Sequence, residues 1–319
     1  MQAAQTDQAL TQLATSLLRS GYHFVSPTPE THRRVNARAA NSVAQDLAGI
    51  FGWSRPFPPA LLAPPLLTLA TAAGALEPAG TLLRSRYRVA TLDGLAFLHS
   101  PYPTTQADAV FFGPDTYRFA RALAAHLASL PAPPARAVDI GTGSGAAAIL
   151  IARACPTAAV SMVDINEGAL RLARINAAAA GVVGMTAARS DLLAGVPGAF
   201  DLITANPPYL PDPGRRTYRD GGGALGAALS LRIVHEATRR LARGGTLLLY
   251  TGTAIVGGAN PFLAEAAGIL AEAGFAWHAE EIDPDVFGEE LDLPALQSAD
   301  RIAAICLTAT RPHGTRPHA

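Results

Sequence analysis

Residues 199–205, Ala-Phe-Asp-Leu-Ile-Thr-Ala, read as a buried strand and run directly into Asn206-Pro207-Pro208-Tyr209. Two successive prolines remove two backbone donors and fix φ, so the chain has to leave a sheet there in a stiff, extended turn. Such a turn holds the Asn206 amide and the neighbouring carbonyls at the carboxyl edge of a sheet, where open α/β folds bind ligands. The geometry suits a clamp for a planar NH2 group. The Asn206 side-chain oxygen and the Pro207 carbonyl would accept its two protons, and the Tyr209 ring would stack on its face. The plainer explanation is a proline-rich turn that opens on a β-bulge asparagine.

Upstream lies Asp139-Ile-Gly141-Thr142-Gly143-Ser-Gly145. Val138 and Ile140 make a short apolar strand, the glycines make a tight turn, and residues 146–154 are helix-forming. Glycines in that position let the backbone approach a nucleotide near the free N–H groups of a helix N-terminus. The pattern Gly141-x-Gly143-x-x-Ala146 also satisfies the relaxed dinucleotide fingerprint of NAD-binding folds. A second strand, 159–164, ends in Asp164, whose carboxylate can accept from both ribose hydroxyls in either cofactor class. A third, 185–188, is followed by Ser190-Asp191-Leu192. Asp191 suits an adenine exocyclic amine or, more simply, a helix N-cap.

Taken in order, Asp139 to Gly145, Val163-Asp164-Ile165-Asn166, Ser190-Asp191 and Asn206-Pro-Pro-Tyr209 resemble the class I S-adenosylmethionine (SAM)-dependent methyltransferases. Among them the chain is most similar to the Asn-Pro-Pro-Tyr group of the "methyltransferase small" family, which includes the HemK-type release-factor glutamine N-methyltransferases. Asp220-Gly-Gly-Gly223 with Leu225-Gly226 is similar to the Asp-Gly-Gly segment of that group. Where that family has Pro-Arg-Pro-Glu-Thr-Glu, this chain has Phe111-Phe-Gly-Pro-Asp-Thr-Tyr117. The resemblance implies a doubly wound, Rossmann-like α/β fold: a seven-stranded, mostly parallel sheet with an antiparallel seventh strand. It also implies a small helical N-terminal domain that recognises the substrate. It implies SAM as cofactor, with S-adenosyl-L-homocysteine as product. Asp139, Gly141, Thr142, Gly143 and Gly145 would pass the methionine part of the cofactor, Asp164 and Ile165 would hold the ribose, and Asp191 and Leu192 the adenine. Asn206 would face both cofactor and acceptor.

Composition narrows the chemistry. The chain has 319 residues, 49% hydrophobic and 16% charged, enough for one large domain and a smaller one. All 25 basic residues are arginine, which excludes lysine Schiff bases, pyridoxal phosphate and a P-loop lysine. With formal charge zero and a pI near 7.1, no global field steers the chain to nucleic acid. Cys155, Cys306 and the eight histidines show no metal spacing, so no metal is expected. Neither a signal peptide nor a membrane span is expected: the apolar run 60–76 is broken by Pro64-Pro65. The expected location is the cytoplasm.

Apolar spacing predicts helices over 4–20, 31–51 and 61–76, a helical domain over 1–83, and a hairpin connector over 84–109 turning at Asp93-Gly94. The SAM-binding domain is expected over 110–310. It holds a helix over 225–243, a strand over 245–251, a helix over 261–273 and two final strands over 275–281 and 301–310. Residues 311–319 are expected to be a disordered tail. Arg33, Arg34 and Arg38, then Arg84, Arg86 and Arg88, and Arg239, Arg240 and Arg243 read as solvated faces. Arg215, Arg216 and Arg219 follow the Asn-Pro-Pro-Tyr loop, and Arg215 and Arg216 could hold a substrate carboxylate or phosphate bidentately. The acidic stretch 280–292 would repel a nucleic-acid backbone.

The expected activity is methyl transfer from SAM to a planar nitrogen: a protein side-chain amide, or an amide or amine of a small molecule. Asn206, Pro207 and Tyr209 would be the catalytic set, with Pro208 beside them at the substrate. The alternatives are adenine N6 or guanine N2 methylation on RNA or DNA, a nicotinamide-dependent oxidoreductase, and a catalytically silent SAM-binding protein.

Overall fold

The structure, a computed structural model, describes residues 2–313. Its centre is a seven-stranded sheet formed by β5 (Arg136–Ile140), β6 (Ala159–Asp164), β7 (Thr186–Arg189), β8 (Phe200–Ala205), β9 (Leu241–Ile255), β10 (Ala276–Asp283) and β11 (Arg301–Thr310). The strands lie in the order β10-β11-β9-β8-β5-β6-β7. β11 runs antiparallel to both its neighbours, while β9, β8, β5, β6 and β7 are mutually parallel. This is the doubly wound sheet expected from the motif order.

The winding explains where a ligand site has to be. From β5 the chain steps outward to β6 and β7, then returns to the other flank of β5 as β8. The switch point therefore falls between β5 and β8, where Ile140 is in register with Ala205. The glycine turn that follows Ile140 and the Asn206 turn that follows Ala205 thus leave the sheet side by side. Crevices of this kind, outside the carboxyl ends of the strands, are where open α/β sheets bind ligands.

β5 and β8 are covered on both faces, so their sequences are nearly continuous apolar runs. One face carries α8 (Ala228–Arg240) and α9 (Pro261–Glu272), with Ile233, Val234 and Leu270 fully buried. The other carries α5 (Pro114–Ser129), α6 (Ala146–Ala154) and α7 (Glu167–Ala179), with Leu123 and Ile151 fully buried. α7 starts cleanly because Asn166 accepts hydrogen bonds from Gly168 N and Ala169 N.

The N-terminal part comprises α1 (Gln2–Arg19), α2 (Pro29–Asn36), α3 (Leu47–Phe51) and α4 (Pro64–Ala72). Two hairpins follow: β1 (Leu76–Ala79) with β2 (Leu82–Ser85), and β3 (Arg88–Leu92) with β4 (Leu95–His99). Leu10, Leu13 and Leu17 of α1 pack in one core with Leu172 and Ile175 of α7, and the Arg171 guanidinium reaches Asp7 at 2.6 Å. Each fully buried leucine contributes about 1.5–3 kcal/mol, so this layer is bonded to the sheet domain by shared apolar surface.

Several expected boundaries move. Helical structure ends at Ala72, and residues 76–85 form a hairpin. The stretch 31–51 is two helices, because Asp46 caps α3 by accepting from Gly49 N at 2.6 Å. β9 is longer than expected, since β11 pairs with it from Thr246 to Ile255. α8 is shorter and starts only at Ala228. Of the expected tail, Arg311 remains tied to the sheet end through Gly244 and Gly245; residues 314–319 lie outside the described residues.

Candidate functional site

A cavity of about 680 Å³ opens over the carboxyl ends of β5, β6 and β8. Gly141, Gly143, Asp164, Ile165, Asp191 and Leu192 line one side. Asn206, Pro207, Pro208, Tyr209, Arg215 and Arg216 line the other. The switch point thus gathers twelve residues singled out in the sequence into one space.

The glycine turn is held from two directions. Gly143, at φ +53°, donates its N–H to Asp164 Oδ2 at 3.0 Å, and Thr142 N donates to Val163 O at 3.0 Å. Asp164 Oδ1 accepts from Asn166 N at 2.9 Å. Burial raises the Asp164 pKa, and these backbone donors oppose the rise. Each Asp164 oxygen uses one acceptor site internally, which leaves capacity for a hydroxyl pair in the cavity.

Asp139, Thr142 and Gly145, expected at the cofactor, do not line the cavity. Asp139 lies beneath the turn, where it accepts from Thr142 Oγ1 at 2.7 Å and from Thr204 Oγ1 at 2.9 Å. It ties the β5 turn to β8, and burial pushes its pKa up to about 6. Gly145 packs at the start of α6 against Ala173 of α7. These three residues shape the turn from behind.

Asp191 also differs from expectation. It caps no helix, since residues 191–196 are turns and no helix follows. Its carboxylate lies at the cavity rim, bridged by Arg232 Nη2 at 2.8 and 2.9 Å. Both partners are more than half exposed, so the pair is a weak, solvent-screened contact.

At the Asn-Pro-Pro-Tyr turn, the half-buried Asn206 amide makes no hydrogen bond among the described residues, and the Pro207 carbonyl accepts none from a backbone N–H. Tyr209 lines the cavity as well. Only 7% exposed, it donates its hydroxyl to Asp115 Oδ2 at 2.5 Å, and its ring packs on Gly252 and edge-on to Phe287. The hydroxyl is thus anchored away from the space in which the ring was expected to stack on a planar amide.

Asp115 carries no signal in the sequence: it lies in the Phe111-to-Tyr117 stretch, and nothing around it marks the two tyrosines it meets. The buried carboxylate also accepts from Tyr250 Oη at 2.8 Å and Arg118 Nη1 at 3.1 Å. Burial raises its pKa, against the pull of the two tyrosine hydroxyls and Arg118.

The arginine loop is internally committed. Arg216 binds Asp212 bidentately, Nε to Oδ2 at 2.9 Å and Nη2 to Oδ1 at 2.5 Å, and holds that carboxyl down at about 2. Arg219 pairs with Glu290 of the acidic stretch and with Asp212. Arg215 alone of the three is exposed and has no ion pair among the described residues. The Asp220-Gly-Gly segment lies directly on the Asn-Pro-Pro-Tyr turn: Gly221 N donates to Leu210 O at 2.9 Å. At Gly226, φ +79°, any Cβ would overlap the Tyr209 backbone. Arg88 is a further correction, since it is 2% exposed and lines the cavity where a solvated face was expected.

Among the described residues no group of His, Cys, Asp and Glu is placed to hold a metal, and no helix is long and apolar enough to cross a membrane.

Residues 106–266 match the family model described as the methyltransferase small domain. A release factor glutamine methyltransferase from Deinococcus radiodurans is 36% identical over 165 residues, 49% of this chain and 55% of that protein. A release factor glutamine methyltransferase from Cereibacter sphaeroides is 37% identical over 156 residues, 44% of this chain and 55% of that protein. A ribosomal protein uL3 glutamine methyltransferase from Bordetella pertussis is 37% identical over 129 residues, 37% of this chain and 43% of that protein. The chain spans about half the length of the curated relatives it matches.

Proposed function

The chain belongs to the methyltransferase small domain family, and on that premise we propose that it transfers a methyl group from SAM to the side-chain amide nitrogen of a protein glutamine. The observation that carries this is the shared cavity: the unpartnered Asn206 amide and Pro207 carbonyl open into the same space as Gly141, Gly143 and Asp164. The glutamine methyltransferases among the relatives support an amide acceptor.

The residues present fit the cofactor. Asp164 keeps acceptor capacity for a ribose diol, the Gly141–Gly143 backbone lies open to the cavity, and Ile165 and Leu192 supply apolar wall. SAM, when bound, supplies an electrophilic methyl group on sulfonium.

The chain's own contribution is to the acceptor. An amide nitrogen is a poor nucleophile because its lone pair is delocalised into the carbonyl. The Asn206 side-chain oxygen and the Pro207 carbonyl accept its two N–H bonds, favour a pyramidal nitrogen and stabilise the positive charge that develops there. Tyr209, fixed by Asp115, closes the wall behind the amide. Pre-set acceptors of this kind need no strong base, and the proton leaves to solvent after transfer. The N-terminal helices contribute to acceptor selection, since Pro29 of α2 and Tyr102, stacked on His32 at 3.9 Å, form the outer wall.

Incubation with isotopically labelled SAM and fractionated cell extract, followed by digestion and mass spectrometry, tests the proposal. Label on a glutamine amide nitrogen is expected. Label confined to adenine or guanine would exclude an amide acceptor.

A further inference from the structure

We infer that the acceptor end of the cavity holds an oxyanion site built on Arg88, which takes a carboxylate or phosphate borne by the methyl acceptor. The inference deepens the methyl-transfer proposal and rests on the same cavity being the acceptor site.

Arg88 opens β3 and is only 2% exposed, yet it lines the cavity that Asn206 enters. Its Nε donates to Ser100 O at 2.9 Å, and its Nη2 makes a long contact with Thr104 Oγ1 at 3.4 Å. A guanidinium has five N–H donors, so most of its capacity is unused. Among the described residues no carboxylate forms an ion pair with it. The titratable groups that face it are the phenols of Tyr22, Tyr102 and Tyr117, whose pKa values burial raises, and the imidazoles of His32 and His99, whose pKa values burial lowers, so none of them is an anion at neutral pH. Burial lowers its pKa only to about 10, so it keeps its charge there.

Three other arginines on the same cavity are paired: Arg216 with Asp212, Arg219 with Glu290 and Arg232 with Asp191. A buried cation is ordinarily compensated by a paired anion, and Arg88, the one arginine on the cavity that is buried, has none among the described residues. A guanidinium presents a fork of donors that matches a carboxylate or phosphate, and the donors of Arg88 not used by Ser100 and Thr104 are free to meet one. The neighbouring wall is itself fixed: Tyr102 is stacked on His32, and the Tyr102 N–H donates to Ser54 Oγ at 3.1 Å. Exposed Arg215, on the same cavity, adds a second cation without an acid partner among the described residues.

The test is calorimetric titration of the full-length protein with acetate, with inorganic phosphate and with neutral acetamide, beside SAM. Wild type is expected to bind acetate or phosphate at least tenfold more tightly than acetamide. Arg88→Met, which keeps the apolar stem, is expected to weaken that binding at least tenfold and to leave the SAM dissociation constant within twofold. Arg88→Lys should retain part of it. Preference for acetate identifies a carboxylate on the acceptor, and preference for phosphate a phosphoryl group. Equal binding of acetate, phosphate and acetamide by wild type overturns the site, whether or not the variants fold. So does oxyanion binding that Arg88→Met leaves unchanged. If SAM fails to bind while Arg88-dependent oxyanion binding persists, the methyl-transfer proposal falls and the anion site stands.

Discussion

Replacing Asp115 by alanine removes one buried carboxylate that terminates two tyrosines. Tyr209 and Tyr250 both donate their hydroxyls to it from within the core, at 2.5 and 2.8 Å. A buried hydroxyl left without its acceptor costs about 1–3 kcal/mol. Two of them give roughly 2–6 kcal/mol, reduced because the carboxylate itself is held in a site that burial disfavours. Arg118 keeps Asp283 at 2.7 Å and adds little to the loss. The expected net is about 2–4 kcal/mol, a large share of the 5–15 kcal/mol typical of a folded domain. Turnover should fall by about a hundredfold, the size of effect that a misplacement of ~1 Å near reacting atoms produces, because Tyr209 is no longer tethered behind the amide. Asp115→Asn should fall between the two: its amide oxygen still accepts one hydroxyl while its NH2 faces the other donor. Urea denaturation followed by circular dichroism, together with methyl transfer at saturating substrate, measures both quantities. If Asp115→Ala loses less than about 0.5 kcal/mol, below the usual worth of a buried hydrogen bond, and keeps more than half of wild-type turnover, the anchoring role is refuted.

Asp139→Asn should flatten the dependence of stability on pH. The folded-state pKa of about 6 lies above the unfolded value, so the contribution is full below the unfolded pKa and is lost as pH rises toward 6. The full loss is on the order of 2–3 kcal/mol, of which about 2 kcal/mol falls between pH 4.5 and 7, so the stabilities of wild type and variant from urea denaturation should change relative to each other by that amount across this window; parallel profiles would contradict it. Asp164→Ala should weaken SAM binding by tenfold or more, through the lost hydroxyl acceptor and the freed Gly143 N–H, as calorimetry would read; an unchanged dissociation constant would remove Asp164 from the cofactor site. Gly226→Ala forces a Cβ into the Tyr209 backbone at positive φ, so it should destabilise the fold by more than 1 kcal/mol and impair acceptor use, and wild-type melting and turnover would show that the two segments are not packed together.

The parts of this molecule that could be read in the sequence are those where local rules and the fold agree. Strands β5 and β8 announce themselves because burial on both faces demands apolar runs. The two turns after them are legible because glycine and proline dictate backbone shape wherever they occur. What was not legible depends on pairing across long separations. Asp115 and Tyr209 lie 94 residues apart, and nothing near either marks the other. The arginines make the same point: a charge run looks alike whether solvated, as at Arg33, or folded inward, as at Arg88. Arg216 is a different case: its carboxylate, Asp212, is only four residues away, but the sequence offers no helix there to bring them together, and the pair forms in the fold of an irregular loop. The hairpin over 76–85 was absorbed into a helical run because its strands are short and only partly buried.

The central claim is that Asn206 holds the target amide in a cavity shared with SAM, and single-turnover methyl transfer by Asn206→Ala tests it most directly. The variant is expected to bind SAM as wild type does and to transfer methyl at least a hundredfold more slowly, the usual consequence of losing one oriented acceptor. Transfer at more than a tenth of the wild-type rate, with the fold and SAM affinity intact, would contradict the claim.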